Sequence, residues 1–158
     1  SDAMHRMIPR LRPLQLEGMG LVDAVRDLLT ATQLNNPELK TELEVQGELP
    51  ALNEEYELHA YRIIQEAITN VVRHAKASRT HVCIAVKDQC LVLSIADDGQ
   101  GAQSLQRVGH YGVLGMQERA ASLNGKVVFQ TATMGGCEVL VTLPLASPVN
   151  PSHHESQV

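Results

Sequence analysis

This sequence predicts an α+β fold, a two-layer α/β sandwich whose mixed sheet is covered on one face by helices. Three observations carry the prediction. Apolar residues recur at helical spacing in some stretches and at every second position in others. The alternating stretches come mostly in pairs joined by short polar or glycine-bearing turns. The helical stretches fall between those pairs, an order that lays helices over one face of a sheet. At 158 residues the chain has the size of one domain with a proper core.

Taken in order, the first helix follows Gly20, where Leu21, Ala24, Val25, Leu28 and Leu29 repeat at helical spacing. "TELEVQGEL" alternates briefly through Leu43 and Val45 and reads as a short strand closed by Gly47. Pro50 and Asn53 precede a long helix, with Asn53 as N-cap followed by Glu54 and Glu55. "THVCIAVKD" and "CLVLSIADD" form a hairpin turning at Asp88 and Gln89; Val82, Ile84 and Val86 share one face, as do Leu91, Leu93 and Ile95. A glycine-bearing loop over 98–112 leads into a helix expected at about 113–124, ended by Asn124-Gly125. "KVVFQTAT" and "CEVLVTLPL", joined through Met134-Gly135-Gly136, make the second hairpin. The domain is expected over 11–145. The opening "SDAM" resembles an expression remnant, residues 1–10 as a whole are expected to be that scar and a remnant of linker from a missing dimerisation domain, and the Pro- and polar-rich 146–158 is expected to be disordered.

Composition narrows the function. Apolar residues make up 44% and charged residues 20%, as in soluble globular domains. Aromatics are only 3%, with no Trp, so Leu, Val, Ile and Ala must build the core. The net charge is −5 and no Lys/Arg cluster is interleaved with aromatics, which argues against direct nucleic-acid binding. No apolar run approaches the ~18 residues of a membrane span. Cys83, Cys90 and Cys137 are odd in number and lack metal-ligand spacing, so ordinary reduced thiols are expected.

The long helix contains "YRIIQEAITNVVRHA", and here the chemistry begins. At about 100° per residue, Asn70 falls roughly 40° from Glu66, and Arg73 roughly 20° to the other side. Tyr61, Ile64, Ile68, Val71, Val72 and Ala75 cluster opposite them. Most such polar ridges are solvated surface. Asn70, however, is a mediocre helix former where a solvent face would carry Lys, Glu or Gln. Glu and Asn one turn apart also offer hard oxygen donors to Mg²⁺, which takes few protein ligands and keeps water and phosphate oxygens. Arg73 and His74 could then meet phosphate charge.

"SIADDGQGAQ" puts Asp97, Gly99 and Gly101 at a strand end. This is either an acidic turn or a carboxylate that accepts a hydrogen bond from a flat ligand, with glycines letting the ligand lie on the backbone. Neither nucleotide fingerprint fits: the third glycine of a dinucleotide motif is replaced by Ser104, and no phosphate-loop Gly-Lys-Ser/Thr occurs. "GHYGVLGMQERAASLNG" spaces Gly109, Gly112 and Gly115 by three just ahead of a helix. Such a stretch is either a mobile hinge or a way to expose backbone N–H groups to phosphate.

Together, "QEAITNVVRHA", "DDGQG", "GHYGVLGMQERA" and "GGCEVLVTLPL" resemble, in order and spacing, the ATP-binding catalytic domain of sensor histidine kinases of the nitrate- and sugar-phosphate-sensor branch. The resemblance spans about 11–145, including the lead-in "LRPLQLEGMGL". It implies the Bergerat ATP-binding fold shared with gyrase, Hsp90 and mismatch-repair ATPases. By this resemblance Asn70 ligates Mg²⁺, Glu66 positions a metal-bound water and Asp97 recognises the adenine amino group. It also places Gly99 and Gly101 in the adenine pocket, and Gly109, Gly112, Leu114, Gly115 and Met116 in the lid-to-helix loop near the phosphates. Arg73 and His74 are implied to be phosphate-directed.

The chain departs from that family at Cys137, where the wider superfamily often has Thr beside the adenine-reading network; a thiol is the poorer hydrogen-bond partner. The phosphoacceptor is also missing. His5 is followed by Arg6, whereas the family's acceptor histidine is followed by an acidic residue, and His59, His74 and His81 sit in or beside the ATP-binding elements. The expectation is a catalytic domain that uses ATP and Mg²⁺ to phosphorylate a histidine on its own dimerisation domain. A response regulator with DNA-binding output would then receive the phosphoryl group. The parent is expected to be a homodimer, the isolated piece a monomer, and the domain cytoplasmic on a parent that an inner-membrane anchor could hold. The alternatives are an anti-sigma-type protein serine kinase and an ATP-binding module without catalysis.

Overall fold

A computed structural model describes residues 18–100 and 110–145. The expected terminal segments, 1–10 and 146–158, lie outside that range. The elements are α1 (Leu21–Asn35), β1 (Lys40–Gln46), α2 (Glu54–Asn70), β2 (Arg79–Lys87), β3 (Cys90–Asp97), α3 (His110–Ser122), β4 (Lys126–Thr131) and β5 (Cys137–Pro144). The sheet runs β1-β2-β3-β5-β4. β1 pairs with β2 in parallel, because α2 carries the chain back between them; all other pairings are antiparallel. The mixed sheet expected from the sequence is therefore the one found.

Alternation along the strands decides which face the helices cover. Val82 stands opposite Ile95, Ile84 opposite Leu93, and Leu93 opposite Val141. All five side chains are buried, and they join Val25, Ile63, Ile64, Met116 and Ala120 of the helices in one core. The other face carries polar residues that satisfy one another: Ser94 Oγ and Gln130 Nε2 both donate to Glu138, at 2.6 and 2.9 Å. Asp88 and Gln89 both adopt positive φ, 54° and 62°, as a tight two-residue hairpin between twisted strands requires.

α2 is fastened at its start. The Asn53 Oδ1 accepts from the Tyr56 N–H at 2.7 Å, capping the helix, and three glutamates in the first turn complement its dipole. The Tyr56 hydroxyl donates to the carbonyls of Leu143 and Pro144 at 3.1 and 3.2 Å, tying the helix to the end of β5.

Two expectations need correction. α2 does not keep its 100° period through Ala75: Val71–Ala75 form a π turn. The wider turn leaves Val72 40% exposed, although the regular period puts it on the apolar face, while Asn70 is only 8% exposed, although the same period puts it on an outward ridge. α3 begins at His110 where the start was expected at about 113, so Gly112 lies inside the helix with Gly115 and not in the preceding loop. It ends at Ser122, and Asn124 in the left-handed conformation with Gly125 closes it as predicted. No helix among the described residues is long and apolar enough to cross a membrane.

One core residue carries an unspent polar group. Tyr61 is fully buried, and its hydroxyl has no hydrogen-bond partner among the described residues. An unsatisfied buried donor penalises the folded state. Tyr61→Phe is therefore expected to raise unfolding stability by on the order of 1 kcal/mol in urea titrations. A loss of stability would mean that the hydroxyl is bonded in solution.

Candidate functional site

The site is built where three backbones converge on one carboxylate. β3 delivers Asp97 on the helix-covered face, opposite Thr80 of β2 in the register, and leaves it 4% exposed. The Gly99 N–H donates to its Oδ1 at 2.8 Å, and the Cys137 N–H reaches the same oxygen at 3.4 Å. The Asp97 carbonyl accepts from the Gly136 N–H at 3.1 Å. A Cβ at Gly136 would overlap that carboxylate and the Gly99 amide, so no other residue fits without movement. A Cβ at Gly99 would strike the Ala75 carbonyl at the end of the π turn, and the Gln100 N–H donates to that carbonyl at 2.8 Å. The strand end, the β4–β5 turn and the end of the long helix are thereby locked together.

Electrostatics separates the two adjacent aspartates. Burial pushes the Asp97 pKa up; the Gly99 and Cys137 amides pull it down only partly, and Asp98 adds to the rise. Burial also acts on Asp98, but bonds from Ser78 and Arg79 outweigh it and hold that carboxyl below its ordinary value. Asp98 accepts from the backbone N–H groups of Ser78 and Arg79 at 2.8 and 2.9 Å and from the Ser78 hydroxyl at 2.7 Å. Its capacity is spent on the entry to β2. Among the described residues, Asp97 accepts through Oδ1 alone, from the Gly99 and Cys137 amides.

α2 supplies the second wall. Asn70 is buried, and its Nδ2 has no hydrogen-bond partner among the described residues. One turn earlier, the Glu66 carboxylate lies directly under α3: a Cβ on Gly112 would stand 2.5 Å from its Oε2. A Cβ on Gly115 would meet nothing within 4 Å, so that turn of α3 borders open space.

The remaining expected residues divide. Leu114 is 55% exposed. Met116 is 1% exposed and packs in the core, supporting α3 rather than bordering open space. Cys137 is buried against Asp97, which it touches through its backbone N–H; burial, Asp97 and Glu138 push its thiol up to about 11, so it stays protonated. His74 is half-buried, whereas Arg73 is exposed and lines a groove of about 330 Å³ with Leu28, Gln65, Thr69 and Val72 on the α1 side. The π turn directs it there, away from the Glu66 carboxylate. Gly101 and Gly109 lie outside the described residues.

Two contributors escaped the sequence reading. Thr80 is fully buried, and its hydroxyl donates to the Ala96 carbonyl at 2.8 Å, bracing the strand beneath Asp97. Its signal was available: a polar residue in phase with Val82 and Ile84 on a buried face. Gly136 was visible only as part of a turn, because nothing local reveals that a carboxylate approaches it. No cluster of His, Cys, Asp or Glu among the described residues could hold a metal by itself.

Comparison with known proteins follows this geometry. A family model described as histidine kinase-, DNA gyrase B- and HSP90-like ATPase matches residues 55–147. The chain is 34% identical to the signal transduction histidine-protein kinase/phosphatase UhpB of Salmonella typhimurium over 90% of its own length and 28% of that protein. It is 33% identical to the sensor histidine kinase LiaS of Bacillus subtilis over 91% of its length and 39% of LiaS. It thus spans well under half of these relatives. Among solved structures, the histidine kinase domain of the Erythrobacter litoralis EL346 blue-light activated kinase superposes with a TM-score of 0.68 at 16% identity, covering 80% of this chain and 62% of that one. The ATP binding domain of PrrB from Mycobacterium tuberculosis superposes with 0.60 at 20% identity, covering 78% and 95%. At these identities the likeness establishes the fold.

The raised Asp97 pKa has a consequence for stability. The folded protein holds that proton to higher pH than the unfolded chain, whose value is the ordinary 3.8. Stability linked to protonation is therefore full below 3.8 and lost as pH rises through the folded value; above it the ionised group is a standing penalty. Asp97→Asn keeps an acceptor for both amides without the charge. It should melt at a higher temperature than the parent at pH 7, with the difference closing as pH falls below 3.8. Equal melting at neutral pH would show that the buried charge is fully compensated.

Proposed function

From the fact that this chain belongs to the histidine kinase-, DNA gyrase B- and HSP90-like ATPase family, we propose that it is the ATP-binding catalytic domain of a two-component sensor histidine kinase. It uses ATP and Mg²⁺ to phosphorylate a histidine on a dimerisation domain outside this chain, from which a DNA-binding response regulator takes the phosphoryl group. The observation that carries this reading is the pairing of a buried Asn70, whose Nδ2 has no partner among the described residues, with a buried carboxylate at Asp97, on walls joined by Gly99 and Ala75.

The residues fit a magnesium nucleotide. Asp97 is buried, with only its Oδ1 engaged by backbone amides among the described residues, and suits an exocyclic amine. Gly136 and Gly99 let the β4–β5 turn and the end of the long helix close on that strand end, which fixes the carboxylate in place for a ligand. The Oδ1 of the buried Asn70 carboxamide is the hard oxygen donor that a cation retaining water and phosphate oxygens takes. This leaves Nδ2, without a partner among the described residues, to donate to a phosphate oxygen, and Glu66 one turn earlier would accept from a metal-bound water. Mg²⁺, when bound, neutralises charge along the triphosphate. The first turn of α3, which starts at His110, has the orphan backbone N–H groups of a helix N-terminus, and these suit phosphate oxygens. In transfer, an imidazole nitrogen bonds to the γ-phosphorus as the bond to the β–γ bridging oxygen breaks. ADP leaves, and this domain's contribution is alignment and charge stabilisation. The Cys137 thiol sits beside the adenine-reading carboxylate without replacing it, since residue 137 acts there through its N–H. Histidine is favoured over serine as acceptor because the similar curated proteins are named sensor histidine kinases.

Asn70→Ala should leave folding unchanged, because no hydrogen bond of Nδ2 is lost, and should weaken Mg²⁺-dependent ATP binding by roughly 100-fold or more. Calorimetric titration with and without Mg²⁺ reads this directly; unaltered affinity in its presence would remove Asn70 from the metal site. Phosphotransfer to histidine is checked by the acid lability of the phosphorylated product, which a phosphoserine would not show.

A further inference from the structure

α2 extends the same stripe beyond the nucleotide site. His59, Arg62, Glu66 and Asn70 follow at helical spacing, and the first three lie alongside α3. Arg62 donates to the neutral Gln65 Oε1 at 2.6 Å, and Arg119 of α3 has His59 Nδ1 at 3.4 Å. No carboxylate stands within 4.0 Å of either guanidinium among the described residues. Both arginines are half-buried. Burial and the nearby Arg62 charge both weigh against the charged form of Arg119, and Glu66 offsets this only in part. The nearby carboxylates are Glu66, beyond ion-pair distance, and the exposed Glu55, which stands 3.8 Å from His59 Nε2 and not at either guanidinium. Two neighbouring guanidiniums with no carboxylate at ion-pair distance among the described residues are a cost in the isolated domain, and an incoming anion would relieve it.

Resting on the function proposed above, we propose that Arg62 and Arg119, flanked by His59, form a docking site for a carboxylate side chain on the protein segment that presents the acceptor histidine. Arg62 is eight residues before Asn70, roughly 12 Å along the helix and past the Glu66 carboxylate, too far to serve phosphates gathered at Asn70. It is instead placed where a chain approaching the terminal phosphate from outside would be met. The guanidinium fork matches a carboxylate in two-point contact. On a chain of net charge −5, a local cationic pair also fixes where an acidic partner can land. Arg62 and Arg119 are thus positioning residues for the acceptor.

The test supplies the histidine-bearing hairpin of the same kinase as a separate chain, with Mg²⁺ and ATP. Arg62→Glu and Arg119→Glu are each expected to raise the KM for the hairpin about tenfold or more while the Kd for ATP stays within about twofold. Reversing the charge of the matching acidic residue on the hairpin should restore the KM. Arg62→Gln, with a smaller effect in the same direction and an unchanged melting temperature, guards against a fold defect in the charge reversals. An unchanged KM overturns the docking site alone. A parallel fall in ATP affinity also overturns it, since the anion would then be nucleotide phosphate. An unaltered chain that binds ATP yet phosphorylates no histidine overturns the kinase reading, and the docking site with it.

Discussion

Everything at the site depends on one buried carboxylate. Asp97 can sit at the end of β3 only because the backbones around it approach within distances that a Cβ would forbid: Gly136 against its oxygen, Gly99 against the Ala75 carbonyl. Those two contacts join the sheet, the last turn and the long helix into a single wall. The ionised group costs stability where it stands, and the two amides that bond its Oδ1 only partly compensate. A group held at a cost with capacity to spare is poised for a ligand that supplies the missing donor.

The long helix performs two tasks that ordinarily conflict. Its apolar residues, from Tyr56 through Ile68, fill the core over the sheet. Its opposite side, in the function proposed, offers polar atoms to a nucleotide and its cation without leaving them to water. The π turn resolves the conflict locally: Asn70 is buried at its edge while Val71 still packs inward and Val72 turns out. Single π turns inside helices are common at functional sites because they re-aim side chains without ending the helix.

Polar groups are satisfied unequally across the molecule. On the uncovered face, Glu138 binds Ser94 and Gln130, and His81 pairs with Glu44 at 3.2 Å. At the site, the Asn70 amide, the Asp97 charge and the two arginines lack full partners within the described residues. That contrast separates surface that is complete in itself from surface that awaits something else.

The sequence by itself determined the element order, the mixed sheet, the buried faces of β2 and β3 and the caps at Asn53 and Asn124, because these depend on periods and turn chemistry written over a few consecutive residues. It also marked Asn70, whose residue type is out of keeping with a plain solvated helix face, while Glu66 and Asp97 were singled out by the family resemblance. Tertiary structure alone decided which of two adjacent aspartates is spent on Ser78 and Arg79 and which stays available. It alone placed Gly112 over Glu66, packed Met116 into the core, sent Arg73 to the α1 side and brought Arg62 beside Arg119. The physical reason is common to all of these: each depends on a close approach between segments distant in the chain, or on a π turn that breaks the helical period, and local periodicity encodes neither.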